Sequence, residues 1–237
     1  MDNTGYVTLT RQSGLMREMR VVANNIANSA TTGYRQEGLV FAEHVKGVEN
    51  GPSLSMATAK IRNTSMAQGT LTQTGGKLDL AIEGEGFFLV ETPNGERLTR
   101  AGNFTANGEG DLVTNDGFRV LDGGGAPVFI PPDATDLAVS ADGTVSTNGR
   151  PLTQIGIYLP TDPLEMARED GVMFRSDAGV EPTEGASIVQ GFLESSNVNP
   201  VGQIARMIEV QRAYEMGQSF LDAENERMRE ALKTFVR

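Results

Sequence analysis

The chain has no cysteine and no tryptophan, and His44 is its single histidine among 237 residues. Without cysteine there is no disulfide, thiolate metal site or thiol nucleophile. One histidine excludes a multi-histidine zinc or iron site built within this chain. Basic residues are scarce as well: 20 Lys and Arg face 31 Asp and Glu, a formal net charge of −11. Phosphate contacts need clustered Lys and Arg, so this balance argues against general nucleic-acid binding. No apolar run reaches the roughly 18 residues that a membrane span needs. The opening MDNTGYVTLTRQSGLMREMR has an acid first and no apolar run before its charges, unlike a cleavable secretory signal. What is present, 38% hydrophobic and 22% charged residues, suffices for a sizeable core in one large or two small domains.

The scarce and the abundant residues are unevenly spread. Residues 1–50 carry net charge 0 and no Pro, residues 51–190 carry −10 with nine of the ten Pro, and residues 191–237 carry −1. The acidic surplus and the turn formers therefore sit together in the middle, and the two ends are of another kind. The N-terminal segment reads as a helix from about Thr4 to Asn28. Leu9, Met16 and Ala23 lie seven apart, and Gln12, Met19 and Ile26 form a second row offset by three. The C-terminal segment repeats the design more strongly, with Met207, Tyr214, Leu221, Met228 and Phe235 in one row. Its second row, Val210, Gly217, Glu224 and Ala231, is weakened at Gly217 and Glu224. Asn199 is a plausible N-cap and Pro200 suits the first turn. A helix over 200–235 would be about 50 Å long at 1.5 Å per residue, too long for a small domain to hide, so it calls for a partner helix.

The middle reads as β. DLAIEGEGFFLVE, from Asp79 to Glu91, is two short apolar strands around a Gly84-Glu85-Gly86 break. Turn signals follow at Asn94-Gly95, Asn107-Gly108, Asp116-Gly117, Asp142-Gly143 and Asn148-Gly149, pairs that supply the positive φ of tight hairpins. The expected fold is therefore α+β: paired N- and C-terminal coiled-coil-like helices bracketing a mostly antiparallel β domain, with an extended arm after the first helix. The corresponding divisions are 1–30, an arm or linker over 31–75, a β domain over 76–190, and 191–237.

Little catalytic chemistry is on offer. The acidic residues of the middle sit beside Gly or Asn at predicted turns, where solvated surface explains them without a general-acid and general-base pair. Neither Asn107–Asp111 nor Asp142-Gly143 fits the spaced calcium loop, and Gly84-Glu85-Gly86 is followed by Phe87 and Phe88 where a dinucleotide-binding helix should open. No enzyme activity, catalytic residue, metal ligand or cofactor is expected. The heptad rows are the stronger signal. The C-terminal helix outruns the first by about ten residues, so part of its stripe lacks a partner within the monomer. Heterologous contacts that do not close generate filaments, a hint of a polymer subunit. A coiled-coil adaptor whose β domain binds a ligand is the rival reading.

Four blocks carry a family resemblance. VANNIAN (22–28) with TTGYR (31–35), GTLTQTG (69–75) with LDLAIEGEGFF (78–88), RAGNF (100–104) with GFRVL (117–121), and GFLESSNVNP (191–200) running into Met207-Ile208 and QRAYE (211–215) resemble bacterial flagellar rod and hook proteins. They occur in the family's order and span most of the chain, with the weakest coverage over 122–185. The opening Met1-Asp2-Asn3 with Tyr6-Val7, Leu9 and Arg11-Gln12 is similar to the proximal-rod members; distal-rod members share all four blocks.

The resemblance implies a structural axial subunit of the flagellar basal-body rod that polymerises into a torque-transmitting drive shaft. It implies export from the cytoplasm through the flagellar type III apparatus without a cleaved signal, a final place in the periplasmic rod, and partners among proximal and distal rod proteins and further copies of itself. Terminal helices would form an inner tube and the β domain an outer layer. The assembly residues expected on this basis are Leu9, Met16, Met19, Ala23, Asn25, Ile26, Asn28, Thr32, Gly33, Tyr34, Asn197, Met207, Val210, Gln211, Tyr214, Leu221, Met228 and Phe235. Of these, Asn25, Asn28, Thr32 and Gly33 would set the turn out of the first helix.

Overall fold

The computed structural model describes the backbone of residues 2–48, 51–134, 136–169 and 171–235; the side chains of 2–6, 41–48, 51–62 and 234–235 lie outside that description. The chain forms two compact units. One joins residues 1–27, 36–65 and 198–237; the other joins 28–35 and 66–197.

The first unit holds two helices, α1 (Asp2–Ala27) and α2 (Pro200–Phe235). Asn199 caps α2 as its sequence suggests: its Oδ1 accepts the Gly202 N–H at 3.0 Å, satisfying a donor the helix leaves open. Between the helices in sequence, β1 (Glu37–Val48) and β2 (Gly51–Thr64) pair as one long antiparallel hairpin from Glu37↔Thr64 to Val48↔Gly51, with a register shift after Val40. Both strands pack on α1. Part of the segment expected as an extended arm is thus a hairpin whose ladder consumes its own backbone donors and acceptors. Glu49 and Asn50, which connect the strands in sequence, lie outside the described residues. The consequence for the helices is unequal cover. Between α2 and the hairpin, α1 buries Gln12, Gly14, Glu18, Val21, Val22 and Asn25. Among its described side chains, α2 buries Val210 and Glu224.

The second unit is the β body. Its central strand is β5 (Phe87–Thr92), flanked by β6 (Gly95–Thr99) and by Arg119–Val120 in a nine-stranded antiparallel sheet; β3 (Leu71–Gln73) pairs Phe192–Glu194, and β4 (Leu80–Glu83) pairs Ser187–Gln190. The continuous apolar run Phe87-Phe88-Leu89-Val90 is explained by burial on both faces, since successive strand side chains point to opposite sides. Phe88 and Val90 enter one cluster with Leu80, Ile82, Phe104 and Val120; Phe87 and Leu89 enter another with Leu98, Tyr158 and Phe174. Edge-to-face pairs secure each side, Phe88 on Phe104 at 5.1 Å and Phe87 on Phe174 at 5.8 Å.

The turn chemistry is local. Asn148 and Gly149 both have positive φ, 50° and 74°, between the paired Thr147 and Arg150, the two-residue hairpin that Asn-Gly favours. Gly84 and Gly86, also at positive φ, turn the chain from β4 into β5.

Candidate functional site

The helix pair is antiparallel, and its register is set by polar contacts. Gln12 Nε2 donates to the Tyr214 carbonyl at 2.9 Å, Arg206 donates through Nε to Glu18 Oε1 at 2.7 Å, and Asn25 Nδ2 reaches Gln203 Oε1 at 3.2 Å. The hydrogen bond from Arg206 to Glu18 is the largest cause holding that guanidinium above its ordinary pKa. The polar interruption of one heptad row meets the weak point of the other: a Cβ on Gly217 would lie 2.3 Å from Gln12 Nε2. Gly217 is therefore the notch that admits Gln12, and both irregularities belong to one contact.

Asn25 does more than end a helix. Buried to 1% exposure, it accepts the Glu37 N–H at 3.0 Å and donates to the Glu37 carbonyl at 2.8 Å. Its carboxamide thus acts as one more strand residue at the start of β1. With Gln203 as a further partner, Asn25 joins α1, the hairpin and α2. Placing Asn25 here, instead of in the turn after α1, needs the strand that begins at Glu37.

The remaining expected positions divide by cover. Met19, Ile26, Met207, Tyr214 and Leu221 are half-buried and Val210 is 2% exposed, whereas Leu9, Met16, Ala23, Gln211 and Met228 are exposed. Leu9, Met16 and Tyr214 nevertheless come together, lining one groove of about 440 Å³ with Gln12 and Arg20. Gln211 donates along its own helix to Glu215 at 3.0 Å. Phe235 ends α2, and its side chain lies outside the described residues. Since Gln12 meets Tyr214, Asp2 ten residues earlier falls opposite about position 224. Beyond it, residues 225–233 are all exposed, Met228 and Leu232 included. A second uncovered set, Ile204, Ile208, Met216 and Phe220, follows four-residue spacing broken at Arg212. Tracking seven-residue rows passes over this ridge; following every fourth residue, the i±4n row of a helix surface, finds it.

The TTGYR block folds into the β body. Thr31 turns back on Asn28 through N–H and hydroxyl, both at 3.1 Å, and Asn28 and Thr32 are half-buried. Gly33 donates to the Glu194 carbonyl at 2.8 Å and needs its missing side chain, because a Cβ would stand 2.3 Å from the Ala101 nitrogen. Tyr34 is buried under the Arg168 guanidinium at 4.2 Å. Asn197 donates its side-chain amide to the Ala67 carbonyl at 2.7 Å. Four expected assembly residues in this body, Asn28, Gly33, Tyr34 and Asn197, are therefore engaged within the chain.

At the centre lies an ion cluster whose residues stand in the quoted blocks but whose meeting the sequence did not suggest. Glu194, 1% exposed, receives Arg35 Nη2 on Oε1 and Arg100 Nη1 on Oε2, each at 3.0 Å, with the Gly69 N–H on Oε1 at 2.8 Å. Arg100 also donates to the Ile82 and Gly84 carbonyls, and Arg35 to those of Met66 and Ala67. Burial pushes the Arg100 guanidinium down to about 10; Glu194 opposes this and Arg35 adds to it. Breaking such a pair by removing one partner costs about 3–5 kcal/mol.

A cleft of about 530 Å³ elsewhere in the β body is lined by Asp142, Gln154, Thr183 and Glu184. The Asp142 carboxylate is engaged by its own turn, accepting the Thr144 hydroxyl at 2.7 Å and the Thr144 N–H at 3.1 Å. No helix is long and apolar enough to cross a membrane among the described residues.

Three family models match the chain. Flagella basal body rod protein matches residues 6–35, flagellar hook protein FlgE/F/G D1 domain 81–147, and flagellar basal body rod FlgEFG protein C-terminal 189–234. The chain is 42% identical over 241 residues to the flagellar basal-body rod protein FlgF of Caulobacter vibrioides, covering 98% of each. The chain belongs to the flagellar basal-body rod protein family. The rod protein FlgF of Mesorhizobium japonicum is 37% identical, over 99% of this chain and 98% of its own length. The rod protein FlgG of Agrobacterium fabrum is 33% identical, over 93% and 94%. The two terminal models cover most of α1 and α2, and Arg35, Arg100 and Glu194 of the ion cluster fall one in each of the three matched ranges.

Proposed function

We propose that this chain is an axial structural subunit of the flagellar basal-body rod, in its proximal part, and that it works by polymerising through α1 and α2. The observation that carries this reading is the uncovered apolar surface of α2. Val201, Ile204, Ile208, Met216, Phe220, Met228 and Leu232 are all exposed on one helix. Apolar surface in such quantity on one element marks a docking face. The seam of the pair also runs on past the end of α1, offering Met228 and Leu232 to a neighbour's helix in the manner of a coiled coil. The terminal helices then form the inner layer of a tube and the β body its outer layer. The segment over 31–75, which includes the β1–β2 hairpin, reaches an adjacent subunit, so deleting residues 36–60 should leave the β body folded and abolish rod completion. The partners are other rod subunits, proximal and distal, with the type III export apparatus delivering the chain to the periplasmic side. The subunit transmits torque by close packing and performs no catalysis. A distal-rod role is the second reading, favoured by the FlgG relative matched along nearly its whole length.

Exposed side chains can be changed without unfolding the monomer, which makes the reading testable. Ile204→Asp/Ile208→Asp and Met228→Asp/Leu232→Asp should each alter monomer stability by no more than about 0.5 kcal/mol per site. Both should abolish incorporation into rods and motility in a strain lacking its own copy of the protein. Normal rods from both variants would exclude α2 as the polymerising surface.

A further inference from the structure

Residues 28–35 stand apart in the chain: they belong to the β body, yet the residues on either side of them, up to 27 and from 36, belong to the helical unit. Contacts to the β body hold them. Gly33 N–H donates to the Glu194 carbonyl, and the Asn197 N–H donates to the Tyr34 carbonyl at 3.3 Å. Arg168 lies over the Tyr34 ring and donates to the Arg35 carbonyl. Arg35 itself binds Glu194 and the Met66 and Ala67 carbonyls.

The ion cluster is lopsided. One carboxylate serves two buried guanidinium groups, and Nε of both Arg35 and Arg100 is buried without a hydrogen-bond partner. The two arginines are not equivalent, however. Arg100 sits behind β4, bonded to the Ile82 and Gly84 carbonyls and stacked 5.4 Å from the Phe87 ring in the core. Arg35 sits on the 28–35 segment, whose neighbours in the chain on both sides belong to the helical unit. If Arg35 withdraws, Glu194 keeps Arg100 and the Gly69 N–H, so no buried carboxylate is orphaned, a guanidinium regains water, and the repulsion between the two cations is relieved. If Arg100 were lost, Glu194 would keep Arg35, but the Ile82 and Gly84 carbonyls would lose their donor and the Phe87 ring its stacked cation.

We propose that residues 28–35 are a releasable strap: Arg35 is a detachable key in a lock whose permanent part is the Glu194–Arg100 pair, and the strap opens while the β body stays folded. Docked, it ties two of the four chain crossings between the units to the β body. Released, it turns them into free linker and leaves the crossings at 65/66 and 197/198. The strap is thus a device that sets how firmly the helical unit's chain is tied down, whatever assembly the helices enter.

Amide hydrogen exchange of the full chain, read residue by residue by NMR, tests this. Gly33 and Asn197 report the strap; Leu121, whose N–H donates to the Leu89 carbonyl at 2.8 Å, reports the body. In the unmodified chain Gly33 and Asn197 should exchange at least about 10-fold faster than Leu121, because sub-global opening costs less than global unfolding. Arg35→Gln should accelerate Gly33 and Asn197 by a further factor of about 10 and leave Leu121 within about 2-fold. Arg100→Gln should accelerate all three. Gly33 exchanging as slowly as Leu121 in the unmodified chain would overturn the proposal. So would an Arg35→Gln variant in which all three accelerate alike, or none does, and an Arg100→Gln variant in which Leu121 stays slow.

Discussion

Three glycines of the β body, Gly33, Gly75 and Gly108, form a graded test of what the TTGYR block is for. Gly33 has φ +69°, and a Cβ there would lie 2.3 Å from the Ala101 nitrogen, 2.5 Å from the Arg100 carbonyl carbon and 2.7 Å from the Ala101 Cα. All three are backbone atoms, which cannot rotate away. Gly75 has nearly the same φ, +73°, but nothing within 4 Å of its Cβ position; Gly108 has open space and no positive φ. Gly108→Ala should be neutral or stabilising by up to about 1 kcal/mol, through a less disordered unfolded chain. Gly75→Ala should cost about 1–2 kcal/mol, the price of a left-handed conformation alone. Gly33→Ala adds overpacking against fixed backbone, about 1–3 kcal/mol more. Its total of about 2–5 kcal/mol is a large share of a domain's usual stability of about 5–15 kcal/mol. Urea unfolding is the assay, with Tyr34 and Tyr158 as reporters since the chain has no Trp, and midpoints compared at unchanged slope. Equal losses for Gly33→Ala and Gly75→Ala, within about 0.5 kcal/mol, would refute the close approach of residues 33 and 101.

The other consequences concern the core and one turn. Phe88→Ala removes a fully buried ring from the edge-to-face pair with Phe104 and should cost about 3–5 kcal/mol in the same urea assay, whereas Phe129→Ala, 49% exposed, should stay within about 0.5 kcal/mol. The Asp142 carboxylate is held below its ordinary pKa of 3.8, first by the Thr144 hydroxyl and then by the Thr144 N–H. Because the folded value is depressed, the turn's contribution is complete above the ordinary value and is lost as pH falls through the folded one. An NMR titration should find the Asp142 midpoint below 3.8 and returning toward it in Thr144→Val.

Both helices were legible because their signals are local and periodic: heptad rows, Asn199 as cap and Pro200 in the first turn mark α2 to within a residue. The strand run 87–90 and the Asn148-Gly149 hairpin were legible for the same reason, since one follows from apolar continuity and the other from two positive φ angles. The hairpin over 37–64 was not. Its strands lack a clean alternation and its polar stretch reads as linker, so pairing with each other and packing on α1 is what makes them strands. The ion cluster was invisible for a different reason: Glu194 lies 94 residues from Arg100 in the chain, and no spacing rule reaches across such a distance.

The places of the helices and core strands, the side chains that are lacking and the family the blocks resemble can all be read along the chain, because composition, period and turn residues act over a few positions. Which apolar residues are covered depends on long-range packing. The hairpin packs on α1, and most described side chains of α2 stay exposed, so the helix with the stronger heptad pattern is the less covered. Folding also placed Asn25, Gly33 and Tyr34 inside the chain. Burial depends on what packs against a residue, and for these residues the packing partners are strands and carbonyls that local pattern does not bring together.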